Sequence, residues 1–117
     1  MTTSAFIAGY LRSPFTYARK GALASIRPDE LGASVIRGLL ERTGVPGEEI
    51  EDVIWGCAYP EGEQGINLGR VVAMLAGLPH SVCGVTVETF RRAHEVELSG
   101  RSNVFMNGIR TVRFCTR

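Results

Sequence analysis

Gly84-Val85-Thr86-Val87-Glu88-Thr89-Phe90-Arg91-Arg92 is the stretch on which the reading of this 117-residue chain turns. Its first half is apolar and β-branched, the composition of a strand. Its second half is polar and charged. In open α/β sheets, chemistry sits beyond the carboxyl ends of the strands. A helix starting just after Val87 would bring its N-terminal amides and dipole to that end, where they lower a thiol's pKa and turn a cysteine into a nucleophile. No cysteine follows: Glu88 to Arg92 holds two arginines instead.

Upstream, the chain reads as a scaffold leading to this strand. Ala5-Phe6-Ile7-Ala8-Gly9-Tyr10 is a continuous apolar run, predicted as a buried strand that Pro14 keeps from continuing. Residues 15–26 read as a loop. Its Arg19 and Lys20, with Arg12 before it, are better taken as solvated charges than as an anion site. Pro28 to Thr43 is the clearest helix. Pro28 suits its first position, Asp29 and Glu30 suit its first turn, and Gly44 and Pro46 end it. Leu31, Val35, Ile36, Leu39 and Leu40 form its apolar stripe, and the small Gly32, Ala33 and Gly38 allow close approach to a sheet. Residues 46–50 read as a turn or a single helical turn. Asp52 to Cys57 is predicted as the second strand, with Cys57 a small buried hydrophobe at its end. Tyr59 to Gly65 is a loop. Asn67 is the N-cap of an amphipathic helix running to Ala76, and Val82 to Val87 is the third strand.

The expected fold class is therefore α/β. It has the order strand, helix, strand, helix, strand, and a parallel sheet with right-handed crossovers. Its three carboxyl ends are Tyr10-Leu11-Arg12, Gly56-Cys57-Ala58 and Val87-Glu88-Thr89.

Composition breaks at the third of these ends. Residues 1–87 carry seven basic and nine acidic residues, whereas 88–117 carry six Arg, no Lys and three Glu. The expected organisation is a domain portion over 1–87 and an unassigned Arg-rich tail over 88–117, non-native or disordered. Within that tail, Glu88 to Leu98 offers a thin apolar stripe for a helix, and Val104-Phe105-Met106 reads as a short strand.

Several function classes are disfavoured. Net charge is +1, so no global field argues for nucleic acid or an anionic membrane. The tail arginines Arg91, Arg92, Arg101, Arg110, Arg113 and Arg117 form no stripe and lack aromatic interleaving. Apolar runs are too short to span a bilayer, and Met1-Thr2-Thr3-Ser4 lacks the features of a secretion signal. Three widely spaced cysteines, Cys57, Cys83 and Cys115, fit reduced thiols, so a cytoplasmic location is expected. Gly62, Gly65 and Gly69 lack the Lys-Ser or Lys-Thr of a phosphate loop. His80 and Cys83 lack a second ligand pair for a metal, and His94 belongs to a charged face with Glu95 and Glu97. No metal or cofactor is expected, and no Ser-His-Asp set is readable.

Taken in order, these segments resemble the N-terminal part of the thiolases, the acetyl-CoA acyltransferases, over residues 5–87. The resemblance rests on Ala5-Phe6-Ile7-Ala8-Gly9 with Arg12-Ser13-Pro14-Phe15, on Pro28-Asp29-Glu30-Leu31-Gly32, and on Ile50-Glu51-Asp52-Val53-Ile54-Trp55-Gly56. It continues through Gly65-Ile66-Asn67-Leu68-Gly69-Arg70, Ala76-Gly77-Leu78-Pro79 and Val85-Thr86-Val87. No single piece is specific, but their order and spacing are. The resemblance implies a partial thiolase-like N-terminal domain. In that family Val85-Thr86-Val87 would run into Asn-x-x-Cys-Gly-Ser, whose Cys attacks an acyl-CoA thioester to give an acyl-enzyme. Coenzyme A thioester is thus the implied substrate, with no separate cofactor, and the family's segments also help form dimers.

The chain departs from the family at that motif. Glu88 stands at the Asn position, Arg91 at the nucleophile position and Arg92 at the Gly position, with Phe90 alone a match. An arginine stays protonated and cannot serve as a thiol nucleophile. No catalytic residue is therefore assigned. The family's later His and second Cys, and its regions for binding coenzyme A, have no counterpart here. Val112-Arg113-Phe114-Cys115 partly echoes the missing motif. The echo is read as chance, because only Thr116 and Arg117 follow Cys115 and no helix can lower its pKa.

Three readings follow: a disrupted thiolase whose tail is out of frame or wrongly joined, a non-catalytic module that pairs with a full-length thiolase, and a small acyltransferase working through Cys57, Cys83 or Cys115. The first is favoured and the last ranks lowest.

Overall fold

A computed structural model of the chain describes residues 6–87 together with the backbone of residues 112–115. Helix α1 spans Pro28–Thr43, as its end signals predict. Arg27 enters it in extended conformation, and Pro28 takes the first turn. Gly44 closes it at φ 69°, donating its N–H to the Leu40 carbonyl at 2.8 Å. That left-handed backbone costs glycine little and other residues more. The innermost face consists of Gly32, Ala33 and Ile36, while Leu31 and Val35 are only half-buried. The small residues face inward because Trp55 lies there: a Cβ on Gly32 would sit 2.5 Å from its ring.

A short 3-10 turn at Gly47–Glu49 leads into strand β1, Ile50–Gly56. A second such turn, Gly62–Gln64, lies in the loop before helix α2, Leu68–Leu75. Strand β2 is Cys83–Val87, and strand β3 is Val112–Cys115. The sheet has the order β2-β1-β3, with β1 central and parallel to both neighbours. Its ladder to β2 runs regularly from Asp52↔Cys83 to Gly56↔Val87. Its ladder to β3 runs from Ile50↔Val112 to Ile54↔Cys115, with an irregularity between Ile50 and Asp52.

The two helices pack on each other and on the sheet, around Ile36, Val53, Leu68, Val72 and Val82. Side chains of this size contribute roughly 1.5–3 kcal/mol each when fully buried. Two arginines tie the ends together. Arg37 Nη1 donates to the Leu75 carbonyl at 2.8 Å, and Arg70 donates to the carbonyls of Val82 and His80.

One sequence expectation fails. The apolar run predicted as the first strand is not a strand: Phe6–Tyr10 has no regular structure, with Phe6 88%, Ile7 87% and Tyr10 79% exposed. The segment lies along α1 instead. Gly9 approaches Leu39 and Thr43, Leu11 approaches Gly38, and the Arg42 guanidinium sits 5.7 Å from the centre of the Tyr10 ring. The physical reason is the sheet edge. The side of β1 away from β2 is held by β3, a strand not anticipated from sequence. The remaining tail expectations, a helix over 88–98 and a strand over 104–106, lie outside the described residues. Among the described residues, no helix is long and apolar enough to cross a membrane.

Candidate functional site

The carboxyl ends of β1 and β2 meet, as the parallel order requires. β1 ends at Gly56, and the next residue, Cys57, donates its backbone N–H to the Val87 carbonyl at 3.1 Å. The last carbonyl of β2 is therefore fixed against the start of the 57–67 loop. The Cys57 side chain is buried and its thiol lies 3.6 Å from Gln64 Oε1, at the end of the second 3-10 turn. That burial matches its reading as a small hydrophobe and closes it to a bulky thioester.

A polar network then locks α2 onto β2. Asn67 caps α2. Its amide Nδ2 donates to the Gly84 carbonyl at 2.8 Å, and its Oδ1 accepts from the Thr86 hydroxyl at 2.8 Å and from the Arg70 N–H at 3.4 Å. Thr86 Oγ1 in turn accepts the Gly69 N–H at 3.0 Å. Asn67 and Thr86 each donate and accept, and a satisfied part-buried network of this kind rigidifies a structure. The contact is close because both facing residues are glycine. A Cβ on Gly69 would sit 2.6 Å from the Val85 carbonyl oxygen, and one on Gly84 would sit 2.5 Å from the Arg70 backbone. Just before the cap, Ile66 has φ 64° and is 95% exposed. A β-branched residue rarely adopts that left-handed conformation, which costs of order 1–3 kcal/mol and clusters at functional sites. Sequence reading missed this position because nothing in Gly65-Ile66-Asn67 announces a positive φ on isoleucine.

Electrostatics hold the loop from the other side. Arg27 donates from Nε and Nη2 to the two carboxylate oxygens of buried Asp29, at 3.1 and 2.9 Å, and its Nη1 lies 3.5 Å from Glu63 Oε1. The Arg27 hydrogen bonds hold the Asp29 carboxyl below the usual carboxylate range against the opposing effect of burial, and the Glu30 N–H adds to them. The same bonds raise Arg27 above its ordinary value.

The other predicted site residues fall elsewhere. Arg91, at the expected nucleophile position, lies outside the described residues, as do Glu88, Arg92 and His94. Cys83 is exposed but opens β2, at the amino end of the sheet, about 13 Å of strand from Val87. There it borders an open depression of about 430 Å³ shared with Glu48, Glu51 and Asp52, an acidic setting unsuited to an anionic phosphate-bearing ligand. Cys115 ends β3, paired with Ile54. By backbone position the three cysteines lie at three different places: after the end of β1, at the start of β2 and at the end of β3. His80 is exposed in the turn after α2 and serves through its carbonyl. Among the described residues, no three His, Cys, Asp or Glu side chains are grouped to hold a metal.

Comparison with known proteins bears on this geometry. The family model described as thiolase, N-terminal domain, matches residues 5–92. A 3-ketoacyl-CoA thiolase of Bacillus subtilis (strain 168) is 45% identical over 86 residues, covering 74% of this chain and 22% of that protein. A 3-ketoacyl-CoA thiolase of Idiomarina loihiensis is 38% identical over 99 residues, covering 84% and 26%. One from Saccharophagus degradans is 34% identical over 111 residues, covering 87% and 28%. The chain thus spans about a quarter of the length of these relatives. The family match also runs past Val87 to residue 92, so the compositional boundary and the limit of similarity do not coincide.

Proposed function

Because the chain belongs to the thiolase family, we propose that its β2 exit at Val87 is the place where a complete member presents the nucleophile for acyl transfer between acyl-CoA and acetyl-CoA, and that this chain does not itself catalyse that transfer. The family membership follows from the match to the N-terminal-domain model over residues 5–92. One observation carries the reading: a strand end fixed by the Cys57–Val87 backbone bond and the Asn67–Thr86 network leads to Arg91, not to a cysteine. Positioning of that kind supports covalent catalysis only when a nucleophile is delivered to the fixed point. An arginine at that sequence position carries a permanent positive charge and offers no thiol nucleophile. On this reading the parent activity belongs to fatty acid metabolism in the cytoplasm, and acyl-CoA is a substrate only of a completed enzyme.

The test is direct. The purified chain is incubated with acetyl-CoA and with a longer acyl-CoA, quenched in acid, and examined by mass spectrometry for protein-bound acyl thioester. No adduct is expected. An adduct lost on Cys57→Ser, Cys83→Ser or Cys115→Ser would overturn the reading.

A second reading rests on the exposed apolar residues Val85, on β2, and Ile66, before the α2 cap. A strand with an exposed apolar residue is suited to pairing with another chain. The chain would then act as a non-catalytic module that joins a full-length thiolase. Co-elution with such an enzyme in size-exclusion chromatography is the expected result, and independent elution counts against it.

A further inference from the structure

Two segments of this chain fit one sheet edge. The edge is the side of β1 that faces away from β2, and Val112–Cys115 holds it. The other segment is Phe6–Tyr10, an apolar run left 79–88% exposed at Phe6, Ile7 and Tyr10. Chain geometry places it at the same edge. α2 connects β1 to β2 by a parallel crossover, and such crossovers are right-handed in nearly all cases. α1 packs against α2 and against Trp55 on the same face of the sheet. A strand entering α1 and leaving to β1 with the same hand must therefore lie one step beyond β1, opposite β2. That is the position of β3. The residues between Tyr10 and Ile50, which include the 16-residue α1, comfortably exceed the dozen a parallel crossover needs.

The present occupant is the poorer strand by its own pairing. Its ladder is interrupted between Ile50 and Asp52 and stops at Ile54, whereas the β2 ladder runs unbroken to Gly56. A continuous apolar run is the composition expected of a strand buried on both faces of a parallel sheet. Phe6–Tyr10 has that composition, and Gly9–Leu11 already rests against α1 at Leu39, Thr43 and Gly38. We propose that β3 is a placeholder, and that Phe6–Tyr10 exchanges with Val112–Cys115 on the β1 edge within one molecule, so that the tail is tethered to the sheet in one state and released in the other.

Hydrogen exchange on the full-length chain tests this. Arg113→Pro and Phe114→Pro are made separately, because adjacent strand residues point their N–H groups to opposite sides and at least one substitution must remove a donor or a regular turn of the β3 ladder. In the variant that releases β3, the amides of Ile7–Gly9 should gain at least tenfold protection while α1 and α2 stay protected. Ile7→Pro added to that variant should abolish the gain, yet leave residues 112–115 protected when made alone. Three outcomes would overturn the proposal. The first is unchanged exchange at 6–10 in both variants. The second is global unfolding on loss of β3, which would show that Phe6–Tyr10 cannot replace it. The third is protection that appears only at concentrations where the chain dimerises, which would make the exchange intermolecular.

Discussion

Asp29 is the buried carboxylate among the described residues, and its position explains both its burial and its partner. It stands in the first turn of α1, where the helix dipole favours a negative charge, one residue after Pro28. The fork of Arg27 meets both carboxylate oxygens, and the folded carboxyl therefore titrates below its unfolded value of about 3.9. A depressed pKa contributes stability that is fully present above the unfolded value and is lost as pH falls through the folded one. Asp29→Asn should accordingly lower the urea midpoint at pH 7, and the gap to the unsubstituted chain should close as pH falls below about 4. A gap that persists unchanged at low pH would mean that the carboxylate charge is not what matters there. The first-turn position of Asp29 was readable in the sequence, but its pairing with Arg27 was not, since residues two apart in sequence meet here only because Arg27 is still extended. Cys57 as a buried small hydrophobe was equally readable from its place after a β-branched run. The left-handed Ile66 was not, because its backbone is imposed by the loop and the Asn67 cap that follows.

At the level of elements, the helices declare themselves and the strand partners do not. α1 has a proline at its start, acids in its first turn and Gly44 after its end, and its bounds follow from these local signals. α2 has Asn67 as cap and an apolar face at helical spacing. Strand existence at β1 and β2 was legible from β-branched content, but the identity of the second neighbour of β1 was not. A four-residue Val-Arg-Phe-Cys segment is too short to carry a pattern, and pairing over such a separation is a tertiary choice. The same choice explains why the apolar run at Phe6–Tyr10 reads as a strand and is not one. The α2–β2 contact gives the sharpest check of how elements are held. Gly69→Ala would raise helix propensity by about 1 kcal/mol. It would also drive a methyl group to 2.6 Å from the Val85 carbonyl oxygen, a backbone atom that cannot rotate away. Overpacking of this kind costs about 1–3 kcal/mol, so the clash outweighs the propensity gain. Thr86→Val keeps shape but leaves the Gly69 N–H without its acceptor and Asn67 Oδ1 with only the Arg70 N–H, which costs about 1–3 kcal/mol. Both variants should unfold at lower denaturant than the parent, while Thr86→Ser should stay close to it. Equal stability of Gly69→Ala and the parent would mean that α2 stands further from β2.

At the scale of the whole molecule, the described residues include a large exposed apolar set. Phe6, Ile7, Phe15, Tyr17 and Ile66 are each at least 87% exposed, Tyr10 and Tyr59 are largely open, and Val85 is 46% exposed. Parallel sheets are ordinarily covered on both faces and at their edges, and among the described residues both helices lie on one side of this three-stranded sheet. The chain spans about a quarter of the length of the thiolases it matches. Secondary structure should therefore outlast tertiary packing. The isolated chain is expected to show helical far-ultraviolet circular dichroism, strong binding of a hydrophobic dye, and a broad thermal transition that does not reverse because the heated chain aggregates. Adding a full-length thiolase should suppress dye binding only if the exposed surface finds its complement there, which tests the pairing role. A sharp and reversible transition with no dye binding would contradict the expectation at its root, since it would mean that the two helices and three strands close a core without further partners.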